Sequence, residues 1–457
     1  MIFSPETFNK LVEQQTQTKV RSYAQDAAMS SHRPVYESSN ESFPIPTKLY
    51  EYTLQKYLRG WFKKNKAINT TSIADHPDFA DLIEGEPIHQ YITTVFIDIK
   101  GSTRLSLLYP DLKTIYVFKN AVIQACIEVI RSFDGYVHRI MGDAVLGFFG
   151  SKNTSKPQSI LDCMNCVSIL TVVLNEMIKP WLKTHRPEFD PNHFGFRIGC
   201  DFGDDNDVLW GNYGYGKVGE ISPTGLSVDL ASKLQNLAQK NQIMIGEGIL
   251  KYFNFPETFT FIQQTQKNGK SKDEKFVTPN YTCHNGQLLN YMMRGLNIPK
   301  YLLGLPLPID FKDQYIALPD QEKIIKNGSF IIEAKIRQPN DNKTEHYISN
   351  SEVVKKGSTI FVCLKATSQL ALTKKFLVKF TKTNHSGFDN EPELIEMLDP
   401  EQEDFIYDEI KGYDVCNTNA SFSRSCSYKG IHEIKCEVLD SQSRTVIFRD
   451  YIYVPIE

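Results

Sequence analysis

A run of β-branched and aromatic residues from Tyr91 to Ile99 most strongly restricts what this chain can fold into. Such a run predicts a buried strand, because these side chains pack well on a pleated surface. The turn Gly101-Ser102-Thr103 follows directly, and a helix is predicted over Leu112–Ser132. A buried strand that leads through a tight turn into a helix indicates a layered fold of helices on a sheet.

Strands and helices continue to alternate after this first unit. The predicted elements are the strands Tyr136–Ile140, Ala144–Phe149 and Phe194–Cys200, the helices Ser159–Lys183 and Ser227–Ala238, and a strand with a helix start over Ile243–Ile249. The dipeptide Asp134-Gly135 is typical of a hairpin turn. We therefore expect an α+β or α/β layer domain over residues 89–254.

The flanking regions have a different character. Residues 1–88 predict helices joined by polar connections, and residues 255–327 predict an irregular connector with a short helix around Leu288–Met293. Residues 328–457 predict an all-β sandwich, because short strands recur at regular intervals. These strands are Phe330–Ile336, Thr359–Ala366, Lys375–Lys382, Ile431–Leu439 and Thr445–Val454.

Composition excludes several classes of protein. The 457 residues carry a net charge of −3, which gives no global attraction to nucleic acid or to an anionic membrane. The N-terminus has no basic start followed by an apolar run, so no signal peptide is predicted. The apolar stretch Cys166–Met177 is too short to cross a bilayer. Without an export signal, the nine cysteines indicate reduced thiols and a cytoplasmic protein.

Two carboxylates stand where the chemistry of a phosphate ligand would need them. Asp98 closes the predicted strand just before the Gly-Ser-Thr turn, and Asp143 lies in a Gly-Asp turn between two strands. If those strands pair side by side, the two aspartates converge, and they repel each other unless a cation lies between them. Two-metal phosphoryl chemistry uses this arrangement. Taken singly, each aspartate is better explained as an ordinary turn residue.

Four segments, in a fixed order, carry a family resemblance. They are Phe96–Thr103 (FIDIKGST), Val137–Ala144 (VHRIMGDA), Phe196–Gly203 (FRIGCDFG) followed by Gly211, and Gly225–Leu234 (GLSVDLASKL). Together they resemble the class III nucleotidyl cyclase catalytic domain over roughly residues 90–250. The resemblance implies a ferredoxin-like fold and an enzyme that closes a nucleoside triphosphate into a 3′,5′-cyclic monophosphate with release of pyrophosphate.

The resemblance also assigns roles around the phosphates. Two Mn²⁺ or Mg²⁺ ions per site are expected on Asp98, Asp143 and the carbonyl of Ile99. One ion would activate the ribose 3′ hydroxyl, and the other would bind the triphosphate. The residues expected to hold the phosphates are Gly101, Ser102, Thr103 and Arg197. For Arg197 the alternative is a surface arginine at a strand end.

Two positions depart from the family pattern. Asp229 stands where the family has a transition-state asparagine, and Lys233 stands where it has an arginine. Lysine still supplies positive charge to the reacting phosphorus, but it lacks the planar fork of arginine. Both residues remain the expected catalytic pair, although they also leave open an inactive, cyclase-like nucleotide sensor. The family completes its sites between two chains, so a homodimer is expected.

The positions that would read the base point away from purines. Arg139 stands where adenylate cyclases have lysine and guanylate cyclases have glutamate, and Ser222 takes the companion position. Arginine offers two parallel donors, which suit the adjacent O2 and N3 acceptors of cytosine better than the edge of uracil. Tyr91 could narrow the pocket, or it could be an ordinary strand aromatic. CTP is therefore favoured over UTP, with an ordinary adenylate or guanylate cyclase as the alternative.

The C-terminal region adds a biological expectation. Gly430–Ile434 and Phe448–Val454 resemble the β-sandwich sensor domain found in nucleotide second-messenger synthases of bacterial antiphage defence. A class III cyclase domain followed by such a domain is similar to the Pycsar pyrimidine cyclases. This resemblance implies that the product, cCMP or cUMP, activates a separate downstream effector, and it implies neither a nucleic-acid nor a membrane partner.

Overall fold

The computed structural model describes the chain with several gaps. It describes residues 2–17, 52–79, 82, 86–109, 111–215, 218–267, 269–278, 281–283, 285–366, 376–385, 387–388, 401–406 and 421–457. The α-helices within these ranges are α1 (Pro5–Gln17), α2 (Thr53–Trp61), α3 (Ser102–Leu108), α4 (Leu112–Ser132), α5 (Lys156–Val173), α6 (Lys179–His185), α7 (Leu226–Leu237), α8 (Glu247–Tyr252), α9 (Ile298–Leu303) and α10 (Ile309–Tyr315).

The strands fall into a first half and a C-terminal half. The first half contains β1 (Ile88–His89), β2 (Ile92–Lys100), β3 (Tyr136–Met141), β4 (Ala144–Phe149), β5 (Gly195–Gly203), β6 (Leu209–Tyr215), β7 (Val218–Thr224), β8 (Gln242–Gly246), β9 (Thr260–Phe261), β10 (Gln263–Lys267), β11 (Lys270–Glu274), β12 (Tyr281–Thr282), β13 (Leu288–Leu289) and β14 (Met293–Leu296). The second half contains β15 (Phe330–Arg337), β16 (Glu345–Tyr347), β17 (Thr359–Ala366), β18 (Phe376–Asn384), β19 (Glu401–Ile406), β20 (Ser421–Ser425), β21 (Gly430–Asp440) and β22 (Val446–Ile456).

A seven-stranded sheet in the order β3-β4-β2-β5-β8-β14-β9 organises the first half. Strand β2 lies between β4 and β5 and pairs antiparallel with both, whereas β5 and β8 run parallel. Strands β9 and β14 come from the region predicted as a connector, so that region also extends the sheet. The predicted α+β layer fold is confirmed.

The two faces of this sheet are covered differently. On one face Val95 and Ile97 pack with Val129 of α4 and Ile169 of α5 in the main core. On the other face Phe96 packs beneath a small sheet in the order β1-β6-β7, together with Trp210 of β6. Successive residues of a strand point to opposite faces, so Asp98 shares the face of Phe96. The small sheet therefore lies on the face that carries Asp98.

Helix α4 of the main core begins at a capping side chain. The carboxylate of Asp111 accepts from the backbone N–H groups of Lys113 and Thr114 and so starts α4.

The 30-residue helical run Lys156–His185 is long and apolar enough to cross a membrane, yet 89% of its most apolar window is buried inside the fold. Burial of this kind is expected of the central helix of a protein core.

Two local predictions were wrong. Leu288–Met293 is not a helix, because its ends form β13 and the first residue of β14, and β14 pairs between β8 and β9. Short apolar runs suit either structure, and here pairing across the sheet decides. Asp134-Gly135 does not close a hairpin but joins α4 to β3, with Asp134 at a φ of 59°. Helices commonly end with a residue of positive φ, so this dipeptide suits a helix end as well as a hairpin.

Two four-stranded sheets form the C-terminal half, in the orders β16-β15-β17-β20 and β19-β18-β21-β22. They pack face to face through rings such as Phe330 against Phe376 and Phe380 against Phe422, so the predicted sandwich is confirmed. At the other end of the chain, α1 packs on α4 and α6 through Phe8. The rest of the predicted N-terminal helical region, residues 18–51, and the first residue of the strand predicted at Lys375 lie outside the described residues.

Candidate active site

The two predicted aspartates lie at the same edge of the central sheet. Asp98 pairs across β2 and β4 with Ala144, the residue that follows Asp143. Directly opposed residues in an antiparallel pair have Cα atoms about 5 Å apart, so Asp98 and Asp143 are close neighbours. Gly142 takes a φ of +66° and allows the tight Gly-Asp turn to close between β3 and β4. The structure thus brings together the two carboxylates that the sequence predicted to converge.

The Gly101-Ser102-Thr103 turn lies against this pair. Gly101 has a φ of +94°, and a Cβ atom there would collide with the backbone carbonyl oxygen of His193, so only glycine fits. The hydroxyl of Ser102 contacts the Asp143 carboxylate, while Thr103 is exposed. Ile99 buries its side chain in the main core, which leaves only its carbonyl for a ligand. The turn is therefore coupled directly to the second aspartate.

Arg197 faces Asp98 across the β2–β5 pair. Its guanidinium donates from Nε and Nη2 to Asp98 Oδ2, at 2.9 and 2.5 Å. Both side chains are largely buried, with 23% of Arg197 and 19% of Asp98 exposed, so the ion pair is partly shielded from water. Among the described residues, no group of three or more His, Cys, Asp and Glu side chains gathers as a metal site. Arg197 neutralises Asp98 in this arrangement.

A β-bulge in β3 sets the direction of Arg139. The register runs from Val137 opposite Gly147 to Arg139 opposite Leu146, so His138 is an extra residue in the strand. In a regular strand, Arg139 would share the face of Val137, two residues earlier, and would point into the helical layer. Because of the bulge, Arg139 instead shares the face of Leu146, which is the face that carries Phe96 and Asp98 in β2. The bulge therefore places Arg139 on the same side of the sheet as the aspartates.

The β7 strand of the small sheet lies over Arg139. The carboxylate of Glu220 forms an ion pair with Arg139 Nη2, and Ser222 Oγ lies 3.3 Å from His138 Nε2. The His138 ring also packs against Phe148, with centroids 4.9 Å apart. Burial, followed by the neighbouring Arg139 charge, lowers the pKa of His138 to about 4. His138 is therefore neutral in the folded protein at neutral pH.

Glu220 and His138 were not predicted from the sequence. Glu220 lies two residues before Ser222 in a strand, so the two side chains share a face, and this spacing was the available signal. No comparable signal marked His138, because a bulge depends on how two strands register. The structure thus gathers Arg139, Ser222, Glu220 and His138 in one group.

Asp229 and Lys233 lie one turn apart on α7. This helix packs closely on β5, since a Cβ atom at Gly199 would collide with the backbone of Ala231 and Gln235. Asp229 is exposed, whereas the ammonium of Lys233 contacts the hydroxyl of Tyr281 in β12 and lies 4.0 Å from the centre of its ring. Tyr281 was also missed, because it follows Lys233 by a long and irregular stretch of chain.

Tyr91 lies apart from the two aspartates. It precedes β2, seven residues before Asp98, which corresponds to about 23 Å of strand. Its hydroxyl donates to the carbonyl of Ser151 at 3.0 Å and contacts the carbonyl of Thr154. Burial raises the pKa of Tyr91 to about 12. The Tyr91 hydroxyl therefore holds the loop after β4, and the narrowing of a base pocket by Tyr91 stays a prediction.

Comparisons with known proteins give the family. A cytidylate cyclase of Escherichia coli is 40% identical over 320 residues, which cover 69% of this chain and 67% of that protein. A cytidylate cyclase of Staphylococcus aureus is 32% identical over 391 residues, which cover 85% of this chain and 84% of that protein. No family model matches the chain.

Two solved structures complete the comparison. The adenylyl cyclase CyaB from P. aeruginosa is 18% identical with a TM-score of 0.35, covering 46% of this chain and 96% of that chain. The guanylyl cyclase Cya2 is 19% identical with a TM-score of 0.33, covering 46% of this chain and 93% of that chain. Both TM-scores are low, so the assignment depends on the sequence relatives, and by these the chain belongs to the cytidylate cyclase family of cyclic-nucleotide-forming enzymes.

Proposed function

We propose that this enzyme converts CTP into 3′,5′-cyclic CMP and pyrophosphate. The observation that carries the proposal is the convergence of Asp98 and Asp143 at one sheet edge in a chain whose relatives are named cytidylate cyclases. The ribose 3′ oxygen attacks the α-phosphorus, and the bond from that phosphorus to the β-phosphate oxygen breaks. The 3′ proton leaves, and pyrophosphate carries the displaced electron pair.

The donors at the sheet edge fit two hard divalent cations. Asp98, Asp143 and the Ile99 carbonyl offer only oxygen ligands, which Mg²⁺ and Mn²⁺ prefer. When bound, such ions activate the attacking hydroxyl and stabilise the negative charge on the leaving pyrophosphate. Arg197 now neutralises Asp98, so binding of cations there would free its guanidinium for the triphosphate.

The Gly101-Ser102-Thr103 turn is proposed to bind the phosphates. The glycine lets the backbone approach closely, and Ser102 holds the Asp143 carboxylate in place. Lys233 is proposed to bring positive charge to the reacting phosphorus. Its flexible stem needs an anchor, and the ring and hydroxyl of Tyr281 supply one. Asp229 is proposed to orient the ribose.

Arg139 and Ser222 are proposed to read the base within a site completed by two chains. A homodimer is supported by exposed apolar side chains around the site, since such surfaces on soluble proteins are commonly covered by a partner. These side chains are Met141, Leu209, Tyr213 and Leu226. A second copy would cover them and exclude water from the nucleotide.

The product is proposed to act as a second messenger in antiphage defence in the cytoplasm. The support is the sandwich after residue 328, whose sequence resembles the sensor domains of such systems. It packs on the catalytic half through Tyr451 and Tyr453, which belong to the main core. A signal received by the sandwich would therefore reach the catalytic half through direct packing, and a separate effector would bind the product.

Incubation of the purified full chain with each of the four ribonucleoside triphosphates and Mn²⁺ or Mg²⁺ tests the proposal. Cyclic CMP is expected as the main product, identified by mass spectrometry against authentic 3′,5′ standards. Cyclic AMP or cyclic GMP as the sole product would contradict it, and cyclic UMP as the main product would reverse the order of the two pyrimidines.

A further inference from the structure

Glu220 places a carboxylate directly beside the arginine that is proposed to read the base. It belongs to β7, two residues before Ser222, and its side chain pairs with Arg139 Nη2. Both side chains remain open to solvent, with 37% of Glu220 and 45% of Arg139 exposed. A ligand could therefore reach both without any rearrangement of the fold. The surface presents one acceptor and several donors side by side.

This pattern matches the edge of only one pyrimidine. Cytosine presents an amino donor at N4, then acceptors at N3 and O2, whereas uracil presents an acceptor at O4, a donor at N3 and an acceptor at O2. A carboxylate accepts hydrogen bonds and an arginine donates them. Acidic side chains are the usual acceptors for the cytosine amino group in nucleic-acid recognition. Against uracil the same carboxylate would face the O4 lone pairs.

We propose that Glu220 selects cytosine over uracil by accepting a hydrogen bond from the N4 amino group, while Arg139 donates to N3 and O2. This inference rests on the proposed function, because it assumes that Arg139 lies at the base. Rejection of uracil follows because a bound base would exclude water from the carboxylate, and uracil would then offer it the acceptor O4 in place of an amino donor. Adenine also has an amino group beside an acceptor nitrogen, so Glu220 does not exclude purines.

The neighbours of Glu220 support this orientation. His138 Nε2 lies 3.9 Å from Glu220 Oε1 and 3.3 Å from Ser222 Oγ, and the His138 ring is fixed against Phe148. The bulge at His138 also sets the direction of Arg139. The donor Arg139 and the acceptor Glu220 therefore project from two strands that contact each other through His138 and Ser222. Discrimination between two similar bases requires this kind of preorganisation.

A purely positioning role for Glu220 would give different kinetics. If Glu220 only held Arg139, its removal would lower kcat/KM equally for every substrate that Arg139 contacts. If Glu220 binds the N4 amino group, its removal harms only substrates that carry that group. The triphosphate of 2-pyrimidinone riboside separates the two roles, because it keeps N3 and O2 but has no amino group.

The test measures kcat/KM of the full-length enzyme for CTP, UTP and the 2-pyrimidinone riboside triphosphate. In the wild type, CTP should exceed the other two by about 10- to 100-fold, as expected for one specific base contact. In Glu220→Gln the CTP:UTP ratio should fall at least tenfold, because an amide can also donate to O4. Glu220→Asp should keep the preference for CTP. Glu345→Gln, an exposed change in β16, serves as the matched control.

Three outcomes overturn the inference while leaving the cyclase assignment intact. These are an unchanged CTP:UTP ratio in an active Glu220→Gln enzyme, an equal loss on CTP and the 2-pyrimidinone analogue, and loss of the preference in Glu220→Asp. Thermal unfolding of each variant identifies loss of fold. If the variants do not fold, the wild type alone decides, through its kcat/KM for CTP compared with that for UTP and for the 2-pyrimidinone analogue, the two substrates without the amino group. There, equal use of CTP and the analogue would defeat the proposal. A wild type that cyclises neither pyrimidine would instead overturn the proposed function.

Discussion

The two ends of the proposed site are built in different ways. The carboxylate end consists of Asp98, Asp143, Ser102 and Arg197, and all four come from adjacent strands of one sheet or from the turns beside them. The base end consists of Arg139, His138, Glu220 and Ser222, and it joins two separate sheets. The first is specified by local turns, whereas the second depends on a bulge and on packing between sheets.

The two ends also differ in charge. The carboxylate end carries two aspartates against one arginine, so it retains an excess of negative charge that suits cations. At the base end, Arg139 is balanced by Glu220, and His138 is neutral. A neutral surface with a fixed order of donors and acceptors is suited to discrimination, because affinity then depends on matched hydrogen bonds. The chemistry and the choice of substrate should therefore respond to separate mutations.

The largest effect is expected at the carboxylate end. Asp143→Asn should lower kcat by about 1,000-fold or more, because loss of a metal ligand removes several kcal/mol of transition-state stabilisation. The CTP:UTP ratio of any residual activity should stay unchanged. Activity assays with Mn²⁺ and a thermal melt check both points, with Asp273→Asn in the exposed β11 as the control. Near-normal activity in Asp143→Asn would remove this aspartate from the mechanism.

A second, smaller effect is expected where α7 meets β12. Lys233→Ala should lower kcat by about 100-fold, as for loss of one donor to a developing charge. Tyr281→Phe should lower kcat by roughly tenfold at similar KM, since it removes the hydroxyl contact but keeps the ring under the ammonium.

The combination of these changes distinguishes anchoring from simple packing. Lys233→Arg carries its own planar, preorganised fork, so Tyr281→Phe should cost less in that background than in the wild type. A double-mutant cycle on kcat measures the difference. Equal costs in both backgrounds would show that Tyr281 does not position Lys233.

The contrast between the two ends explains what sequence reasoning could reach. Asp98, Asp143 and the Gly101 turn were found because a strand end, a Gly-Asp turn and a positive φ are local properties. Their convergence needed only the pairing of neighbouring strands. Arg197 was likewise found, although its ion pair with Asp98 was not, since that contact depends on register across β2 and β5.

The remaining features required long-range structure. Nothing near Tyr91 in the sequence reveals that its hydroxyl is held by the loop after β4, and nothing near Lys233 reveals Tyr281. The same holds for Leu288–Met293, where sheet pairing replaced a predicted helix. Contacts between segments far apart in sequence are set by packing of the whole core, which a local pattern does not encode.

The buried His138 at the base end should make the free energy of unfolding depend on pH. His138 has a pKa of about 4 in the folded protein against an ordinary value of 6.5, because burial and Arg139 oppose protonation. The unfolded chain therefore binds a proton first as pH falls, and stability is lost below about pH 6.5. Between pH 7 and pH 5.5 the loss from this residue should be about 1 kcal/mol.

Urea unfolding of the wild type and of His138→Gln at both pH values measures this contribution. The variant should lose less stability on acidification, and the control His185→Gln, at the end of α6, should behave as the wild type does. An identical pH dependence in His138→Gln and the wild type would show that His138 titrates normally.

The smallest effect is expected for Ser222→Ala. Ser222 Oγ lies 3.3 Å from His138 Nε2 and is proposed to form one hydrogen bond to the nucleotide. A single neutral hydrogen bond contributes about 1 kcal/mol, so KM for CTP should rise by roughly fivefold with kcat nearly unchanged. Because Glu220 and Arg139 remain, the CTP:UTP ratio should hold. A loss of kcat comparable to that of Asp143→Asn would instead tie Ser222 to the chemical step and erase the proposed separation between the two ends.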